Sequence, residues 1–451
     1  MGVLEKTMAM LSKHSLCDRC LGRQFALLGY SIENKDRGKA LKLSLTLQAS
    51  ALNSSKNAEG VKKLKVLAVN GFSREAQETL HHLKKRIPKR GLSKTCFLCE
   101  DRFQILDGLT QKALNAVADY EYSTFLVGIE LPVAVEERED EFKAAFNVSY
   151  GESIRHEFGR LLGKRIAELT GKAAEYKKPD LAVIVNPFTE QVRVQVNPLF
   201  VAGRYRKLVR DIPQSKWFCS SCRGKGCEKC GGTGKMYPES VEELASKPLL
   251  EAAKGEKTSF HASGREDIDA RMLGSGRPFV IEISKPKKRF LDLKKLEAAV
   301  NASAEGKVEV SGLRFSSKDV VRRLKKGESA QKEYRVLIDF ETVVSEEGLR
   351  LLEEKLSGIL IKQQTPLRVV HRRADLIREK YIYEVKVKKV SLKRAEMKIR
   401  CQGGLYVKEL VSGDEGRTTP NVSELLGNRA KPLKLDVLNV IMDDQSKVKC
   451  K

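Results

Sequence analysis

Residues 259–279, SFHASGREDIDARMLGSGRPF, combine side chains that can do chemistry with glycines that let a backbone bend around a ligand. Three residue types recur in this segment, namely aspartate, arginine and glycine: Asp267, Asp269, Arg265, Arg271, Arg277, Gly264, Gly274 and Gly276. An acid flanked by guanidinium groups stays ionised in a fixed orientation, as a carboxylate nucleophile acting on an anionic polymer requires. An ordinary surface loop with local ion pairs has the same composition, so the spacing alone leaves both interpretations open.

Cysteines form a second set of candidate functional residues. Of the ten in the chain, Cys401 and Cys450 stand alone, and the rest form C-x-x-C pairs: Cys17 and Cys20, Cys96 and Cys99, Cys219 and Cys222, and Cys227 and Cys230. Two such pairs supply four thiolates, which close the shell of a tetrahedral zinc ion and leave no open catalytic position. Independent thiols or a redox pair are the alternative.

Composition limits the class of protein. With 451 residues and a formal net charge of +25, the chain is long enough for two or three domains and strongly basic. This charge favours binding to nucleic acid, although a basic surface in a heat- or salt-adapted cell is an alternative. No apolar run approaches the roughly 18 residues of a membrane span, and the first residues do not form a secretory signal. The sequence therefore predicts a cytoplasmic protein without a membrane partner.

Four short motifs follow one another in the second half of the chain. They are GRED at 264–267, KEYR at 332–335, TPLRVVHRRAD at 365–375, and GGLYVKEL at 403–410 with GRTTP at 416–420. Gly-Arg-x-Asp presents the catalytic aspartate in pseudouridine synthases, and residues 365–375 are similar to a TP-x-R-V-x-HRRAD motif of one branch. The ordered set resembles the archaeal and eukaryotic tRNA pseudouridine synthase ten family, and the similarity covers nearly the whole chain.

This resemblance implies a catalytic set. Asp267 is the implied nucleophile, Tyr334 the residue that stacks on the flipped uracil and takes part in proton transfer, and Lys408 the cation that keeps the aspartate ionised. From the residues alone, Asp269 is an alternative nucleophile and Arg265 an alternative cationic partner. The implied substrates are uridines 54 and 55 of the tRNA T-loop, without a catalytic metal, nucleotide or redox cofactor. Whether the aspartate attacks the sugar or the base stays open.

Other residues are candidates for substrate contact. The resemblance implies that Val407 and Leu435 line the pocket against the base, although a core strand also explains a leucine. The basic candidates for substrate binding are Arg204, Arg206, Arg265 and Arg372. Two of them lie in the basic run 200–208, which is either a phosphate-binding segment, with possible base stacking on Tyr205, or a solvated linker.

The zinc expectation divides into two sites. The resemblance implies one structural zinc site that joins the pair Cys17 and Cys20 to the pair Cys96 and Cys99. The second group, Cys219, Cys222, Cys227 and Cys230, is zinc-ribbon-like by spacing, with glycines that permit the tight turns. One to two zinc ions per chain are expected, none of them catalytic.

The pattern of elements predicts an α+β fold. An amphipathic helix at 152–170 precedes strands at 180–185 and 191–196, whereas residues 61–69 and 86–94 are basic and partly β-like. After residue 240 strands alternate with helices, consistent with the mostly antiparallel sheet and flanking helices that the resemblance implies. The expected domains are an accessory tRNA-binding region at 1–240, a pseudouridine synthase domain at 241–445 and a tail at 446–451. The accessory region contains the zinc module, a THUMP-like RNA-binding domain at about 70–205 and a cysteine-rich knuckle at 217–234.

A protein of another class also fits part of the sequence. A non-catalytic, zinc-stabilised tRNA-binding protein accounts equally well for the charge, the cysteines and the THUMP-like segment. The two interpretations differ at Asp267, Tyr334 and Lys408, which a binding protein has no need to combine. A methyltransferase or thiolase built on a THUMP domain is disfavoured because the chain has neither G-x-G-x-x-G after a strand nor a P-loop.

Overall fold

The computed structural model of this protein describes residues 2–54, 58–88, 95–326 and 331–441. The chain forms two structural units, Met1–Asn197 and Pro198–Lys451. This division differs from the predicted boundary after residue 240, because residues Leu199–Lys207, expected in the accessory region, form a strand of the sheet in the second unit. In the described ranges no helix combines the length and the apolar composition needed to cross a membrane.

The first unit consists mainly of helices, with a small mixed sheet. Its described helices are α1 (Val3–Lys13), α2 (Asp18–Gly22), α3 (Asn34–Ser54), α4 (Ala58–Val69), α5 (Arg74–His82), α6 (Leu106–Val117), α7 (Val133–Ala145) and α8 (Ile154–Thr170). Its described strands are β1 (Thr124–Ile129), β2 (Ala173–Ala174), β3 (Leu181–Asn186) and β4 (Gln191–Val196). In the sheet order β2-β1-β3-β4, β1 runs parallel to β2 and β3, and β4 is antiparallel to β3.

Helix α8 forms where the sequence predicts it. The hydroxyl of Ser153 caps its first turn by accepting a hydrogen bond from the backbone N–H of His156. The buried side chains recur at helical spacing: Ile154, Phe158, Leu162 and Ile166. The two strands predicted after this helix are present as β3 and β4, within one residue of the expected bounds.

The prediction of partly β-like structure at 61–69 is wrong, since these residues belong to helix α4. Leu64 and Leu67 are buried three residues apart, which suits one face of a helix. A Cβ on Gly60 would lie 2.5 Å from the carbonyl oxygen of Ala49, so glycine permits the close approach of α4 to α3. Of the similar expectation for 86–94, positions 89–94 lie outside the described residues.

The second unit is built on one large sheet. Its described strands are β5 (Leu199–Lys207), β6 (Lys257–Ala262), β7 (Arg271–Ser284), β8 (Val308–Phe315), β9 (Gln331–Phe340), β10 (Ile359–Gln364), β11 (Ile377–Ser391), β12 (Arg394–Gln402), β13 (Thr418–Thr419) and β14 (Ala430–Ile441). Its described helices are α9 (Val241–Ala253), α10 (Leu293–Ser303), α11 (Lys318–Lys326), α12 (Glu346–Leu356), α13 (Val407–Ser412) and α14 (Val422–Leu426).

The strands of this sheet follow the order β13-β10-β11-β12-β9-β14-β7-β5-β8, with β6 paired to β7. Strands β7 and β14 run parallel, and the other paired strands of the described sheet are antiparallel. The predicted α+β fold with a mostly antiparallel sheet is therefore confirmed.

Strand β7 is covered on both faces, which explains the continuous apolar run near its end. Phe279, Ile281 and Ile283 pack into a cluster with buried side chains of α9 and α10. Val280 points to the opposite face and packs against α11. A strand buried on both faces does not alternate between apolar and polar residues. Packing on both faces therefore fixes the position of β7. It also fixes the end of the loop that connects β6 to β7.

Candidate active site

A cavity of about 950 Å³ opens in the second unit beside the β6–β7 loop, residues 263–270. The rest of its wall includes residues of β9 and β14 and of the segment 403–408, which leads into α13. The predicted site residues found in this wall are Arg265, Asp267, Tyr334, Val407, Lys408 and Leu435. The fold thus brings together side chains that lie far apart in the sequence.

Gly264 shapes the β6–β7 loop. Its φ of +76° is one that residues with a side chain rarely adopt. A Cβ here would also lie 3.0 Å from Lys332 Nζ and 3.3 Å from Arg277 Nη1. Glycine is therefore favoured by both the backbone and the space around it. Just after this turn Glu266 is buried, whereas Asp267 remains at the cavity.

The Asp267 carboxylate lies between two cations. Its Oδ2 atom is 3.2 Å from Arg368 Nη2 and 3.3 Å from Lys408 Nζ. The side chain is 37% exposed, so a ligand in the cavity can reach it. A carboxylate held by two cations at the wall of a cavity is oriented for attack on a bound group.

Asp269 shares Lys408 with Asp267. Both of its carboxylate oxygens lie 2.8 Å from Lys408 Nζ. Burial opposes ionisation of Asp269, but the hydrogen bond and charge of Lys408 outweigh it and lower the pKa of this carboxyl. Both candidate nucleophiles thus contact one lysine, and the contact with Arg368 distinguishes Asp267.

Arg368, the first arginine of the motif at 365–375, is a site residue that was not predicted from the sequence. Its Nε atom donates to Glu409 Oε1 at 2.6 Å, and the Glu409 side chain is only 5% exposed. Burial opposes the charge of Arg368, but Glu409 and Asp267 raise its pKa. Glu409 therefore holds the guanidinium group towards the aspartate.

Tyr406, just before α13, is held by two neighbouring elements. Its backbone N–H donates to Gln363 Oε1 at 2.8 Å, and Gln363 Nε2 donates back to its carbonyl oxygen at 3.0 Å. Arg373 Nη1 donates to its hydroxyl group at 2.8 Å. These contacts fix the start of α13, and with it the positions of Val407 and Lys408.

Part of the cavity wall is aromatic and aliphatic. Tyr334 lies on β9, between β12 and β14. Burial raises the pKa of its phenol, and the nearby Cys401 thiol adds to the rise, so the hydroxyl keeps its proton at neutral pH. Val407 and Leu435 are buried and line the same cavity. An uncharged ring beside aliphatic side chains suits the face of a nucleobase.

A buried network supports the β6–β7 loop. Glu266 Oε2 pairs with Arg277 Nε at 2.9 Å, and both side chains are almost fully buried. The hydroxyl of Tyr205 donates to Glu266 at 2.9 Å and accepts a hydrogen bond from Gln214, which also donates to the carbonyl oxygen of Gly264. A buried network whose polar groups are paired with one another favours one loop conformation. The predicted stacking of a base on Tyr205 is wrong, because this side chain is fully buried.

Lys207, at the end of β5, connects the same loop to the sheet. Its ammonium group donates to the carbonyl oxygens of Ile212, Asp267 and Ile268 at 2.9, 3.2 and 2.9 Å. Burial lowers the pKa of Lys207 to about 8. In the sequence this lysine is one of several basic residues at 200–208, and only the strand position of β5 buries it.

Asp436 fixes the strand that carries Leu435. Its carboxylate accepts from Arg210, Arg271 and Arg335 at 2.6, 2.9 and 3.0 Å. Burial opposes ionisation of Asp436, but hydrogen bonds from Arg271 and Arg335 outweigh it and lower the pKa to about 2. This cluster joins β14 to β7 and β9, and so positions two walls of the cavity.

The cysteine pairs come together as two groups of four. These are Cys17, Cys20, Cys96 and Cys99 in the first unit, and Cys219, Cys222, Cys227 and Cys230 in the second; within each group all sulfur atoms lie within 4.8 Å of one another. The sulfurs of Cys17 and Cys99 are 3.7 Å apart, and those of Cys219 and Cys227 are 3.8 Å apart. Tetrahedral zinc, with Zn–S bonds of about 2.3 Å, separates its sulfurs by about 3.8 Å. Both groups therefore fit a structural zinc ion.

The second cysteine group is connected to the cavity through Trp217. This residue lies in the cavity wall, two positions before Cys219. The Arg265 guanidinium group is 4.9 Å from the centre of its ring. Arg265, the alternative cationic partner of the nucleophile, thus contacts an aromatic ring. Trp217 was not predicted as a site residue, because the knuckle beside it was predicted to be only structural.

Two family models match this chain. The model described as "Pus10, C-terminal" matches residues 200–441, and the model described as "Pus10 THUMP domain, archaeal" matches residues 109–186. The chain belongs to the Pus10 family of tRNA pseudouridine synthases. The first Pus10 match begins within β5, close to the structural division after Asn197.

Curated Pus10 proteins resemble the chain over nearly its whole length. The tRNA pseudouridine synthase Pus10 of Methanocaldococcus jannaschii is 44% identical over 440 residues, which cover 96% of this chain and 93% of that protein. The protein of the same name from Halorubrum lacusprofundi is 37% identical and covers 99% of this chain and 98% of its own length. A solved Cbf5-Nop10-Gar1 complex matches with a TM-score of 0.30 and 14% identity over 54% of this chain and 50% of that chain.

Some predicted substrate-binding residues of this Pus10-family chain have other contacts. Arg204 donates to the backbone carbonyl oxygens of Ser275 and Gly276, and Arg206 pairs with Glu309. Neither arginine is part of the cavity wall within the described residues. Both arginines lie on β5, and their role in substrate binding stays a prediction. The side chain of Arg372 lies outside the described part of the structure.

Proposed function

We propose that this chain isomerises uridine to pseudouridine in tRNA, that uridines 54 and 55 of the T-loop are its substrates, and that Asp267 is the nucleophile. The observation that carries the proposal is the position of Asp267. Its carboxylate lies between Arg368 and Lys408 and lines the same cavity as Tyr334. The names of the curated relatives support the reaction and the class of RNA.

The proposed reaction begins with a uridine swung out of the folded RNA into the cavity. Asp267 attacks the nucleotide, the C1′–N1 bond breaks, and its electron pair leaves with the uracil. The base turns and C1′ bonds to C5, while the bond between Asp267 and the nucleotide breaks and returns its electron pair to the carboxylate. The proton of C5 departs, and N1 gains a proton. Nothing is oxidised or hydrolysed, so the proposal needs no catalytic metal, nucleotide or redox cofactor.

The wall residues have separate roles in this scheme. Arg368 and Lys408 hold the Asp267 carboxylate in place, and they stabilise it when the nucleotide departs at the end of the reaction. Tyr334 stacks on the uracil and offers its phenol for proton transfer. Val407 and Leu435 exclude water from the detached base, which would otherwise diffuse or react.

The accessory parts of the chain serve binding and stability in this proposal. The THUMP match at 109–186 supports contact with tRNA, and the T-arm is the part that carries the proposed substrates. The two groups of four cysteines hold structural zinc, one ion each. We place the enzyme in the cytoplasm, where reduced thiols are available for metal binding.

A test of this function uses the purified full-length protein and an unmodified tRNA transcript, without added cofactor. Carbodiimide mapping before and after incubation is expected to show pseudouridine at positions 54 and 55. Binding of the transcript without any modification would instead support the alternative, a non-catalytic zinc-stabilised tRNA-binding protein. Modification outside the T-loop would contradict the proposed positions but not the reaction.

Removing metal from the second cysteine group is expected to change the environment of Trp217. Cys230→Ser should reduce the zinc content by about one ion per chain, because a site with three thiolates binds zinc more weakly. Since Trp217 is the only tryptophan of the chain, its fluorescence should report the change directly. Ser221→Ala, an exposed change between the same ligands, is the matched control. Unchanged zinc content in Cys230→Ser would refute this zinc site.

A further inference from the structure

Lys332 lies in the wall of the cavity, on β9 and two residues before Tyr334. Because successive side chains of a strand alternate, Lys332 and Tyr334 belong to the same face. Its Nζ atom is 3.0 Å from the point where a Cβ of Gly264 would stand. The ammonium group thus lies against Gly264 of the β6–β7 loop, in the wall of the same cavity as Asp267 and separate from the two cations that pair with Asp267.

No acidic side chain forms an ion pair or hydrogen bond with Lys332 in the part of the chain that the structure describes. The charged or titratable groups around it are Arg277 of β7, Glu266 of the β6–β7 loop, Cys401 of β12 and Lys380 of β11. Glu266 is already paired with Arg277, and the Asp267 carboxylate is paired with Arg368 and Lys408. Among the described residues, Lys332 is therefore a partly buried cation without an ion pair of its own, although the charge of Glu266 is nearby.

A cation in this position costs folding free energy, because burial removes it from water and no ion pair of its own compensates for the lost hydration. The cost is visible in its acid–base behaviour. Burial lowers the pKa of Lys332 to about 8, and the charge of Arg277 adds to the effect. A group that is unfavourable in the free protein but faces a ligand cavity is a candidate for ligand binding.

We propose that Lys332 is a substrate-contacting residue whose ammonium group donates a hydrogen bond to an anionic oxygen of the flipped nucleotide. This inference rests on the function proposed above, and it gives a role to a residue of the KEYR motif that is neither a predicted site residue nor an ion-pair partner of the nucleophile. The oxygen belongs either to the uracil or to the phosphate that follows the flipped sugar.

The uracil is the stronger candidate for this oxygen. When the C1′–N1 bond breaks, the electron pair spreads over N1, O2 and O4 of the detached base. If the aspartate instead adds to C6 of the base, negative charge also develops on O4. Both routes therefore place charge on a carbonyl oxygen of a base stacked near Tyr334, and a lysine on the same strand face can stabilise it.

The test compares Lys332→Met with Lys332→Arg, and Lys398→Met is the matched control. Lys398 is an exposed lysine of the neighbouring strand β12. On an unmodified transcript, Lys332→Met should lower the single-turnover rate constant about 100-fold, as for other groups that stabilise developing charge. Lys332→Arg keeps the cation and should recover much of that loss. The control should stay within about three-fold of the wild type.

A stability measurement separates this role from a structural one. Lys332→Met should raise the melting temperature, because it removes a buried charge without a partner. The folded pKa of about 8 lies below the unfolded value of 10.5, so the wild type gains stability as the pH rises between these values. The advantage of Lys332→Met should thus be full below pH 8 and shrink above it.

Two further readouts distinguish the source of the oxygen. A lower rate constant with unchanged tRNA affinity identifies the uracil, whereas a higher Kd with a shallower salt dependence identifies a phosphate. If Lys332→Met leaves both quantities within about three-fold of the wild type, or lowers the melting temperature, the inference is wrong. If the wild type itself makes no pseudouridine, the proposed function is wrong. That result does not depend on the Lys332 variants.

Discussion

Asp267→Asn is expected to abolish pseudouridine formation while the affinity for tRNA stays within a few-fold of the wild type. Asparagine has the same shape but no charge, so it can neither attack the nucleotide nor pair with Arg368 and Lys408. Affinity for RNA depends mainly on contacts with phosphates, which this change leaves in place. Carbodiimide mapping of the T-loop and a binding titration with the same transcript measure both effects.

Asp269→Asn is the matched control for this experiment. It lies two residues away on the same loop and contacts the same lysine. We expect it to retain pseudouridine formation at a reduced rate, because Lys408 then has one carboxylate partner fewer. Full activity of Asp267→Asn together with an inactive Asp269→Asn would transfer the nucleophile to Asp269, and activity in both would overturn the aspartate mechanism.

Glu266→Gln is expected to have the largest effect on stability, together with a clear loss of activity. The change leaves Arg277 with a buried charge and no anion, and removing one partner of a buried ion pair costs about 3 kcal/mol or more. The same change weakens the bond from Tyr205, so the β6–β7 loop loses its support. We therefore expect a lower free energy of unfolding and a single-turnover rate reduced about ten-fold or more.

The control for this variant is Glu309→Gln. Glu309 also pairs with an arginine, Arg206, but both side chains are more than a third exposed. Breaking an exposed pair costs at most about 1 kcal/mol, and no effect on catalysis is expected. Denaturant unfolding and single-turnover assays of the full-length proteins give both quantities. Equal behaviour of the two variants would show that the buried network does not hold the loop.

The neighbours Glu266 and Asp267 show how one loop serves two purposes. The first carboxylate is buried and joins the loop to Arg277, whereas the second faces the cavity. Chemically similar residues thus act as a support and as a proposed nucleophile. The different positions of the two carboxylates arise from the local backbone. Gly264 has a positive φ, and Lys207 donates to the backbone carbonyl oxygens of Asp267 and Ile268.

Local signals allowed much of the fold to be predicted. The amphipathic helix α8 was predicted from apolar residues at helical spacing, which depends only on residues three or four apart. The regular spacing of the C-x-x-C pairs indicated metal sites. Helix α4 was mistaken for partly β-like structure, because its helical character depends on packing against α3 rather than on its composition alone.

The sequence by itself determined the family, the order of the motifs and the chemical types at the candidate site, because these depend on residue identity and short spacings. The tertiary structure alone decided which cations contact Asp267, which carboxylate is buried, and that Lys332 lies in the cavity wall without an ion pair among the described residues. It also turned the basic run around Lys207 into a strand whose side chains support the sheet and the loop. Such pairings join residues far apart in the chain, and only the packing of β5, β7, β9 and α13 sets the distances on which their electrostatic free energies depend.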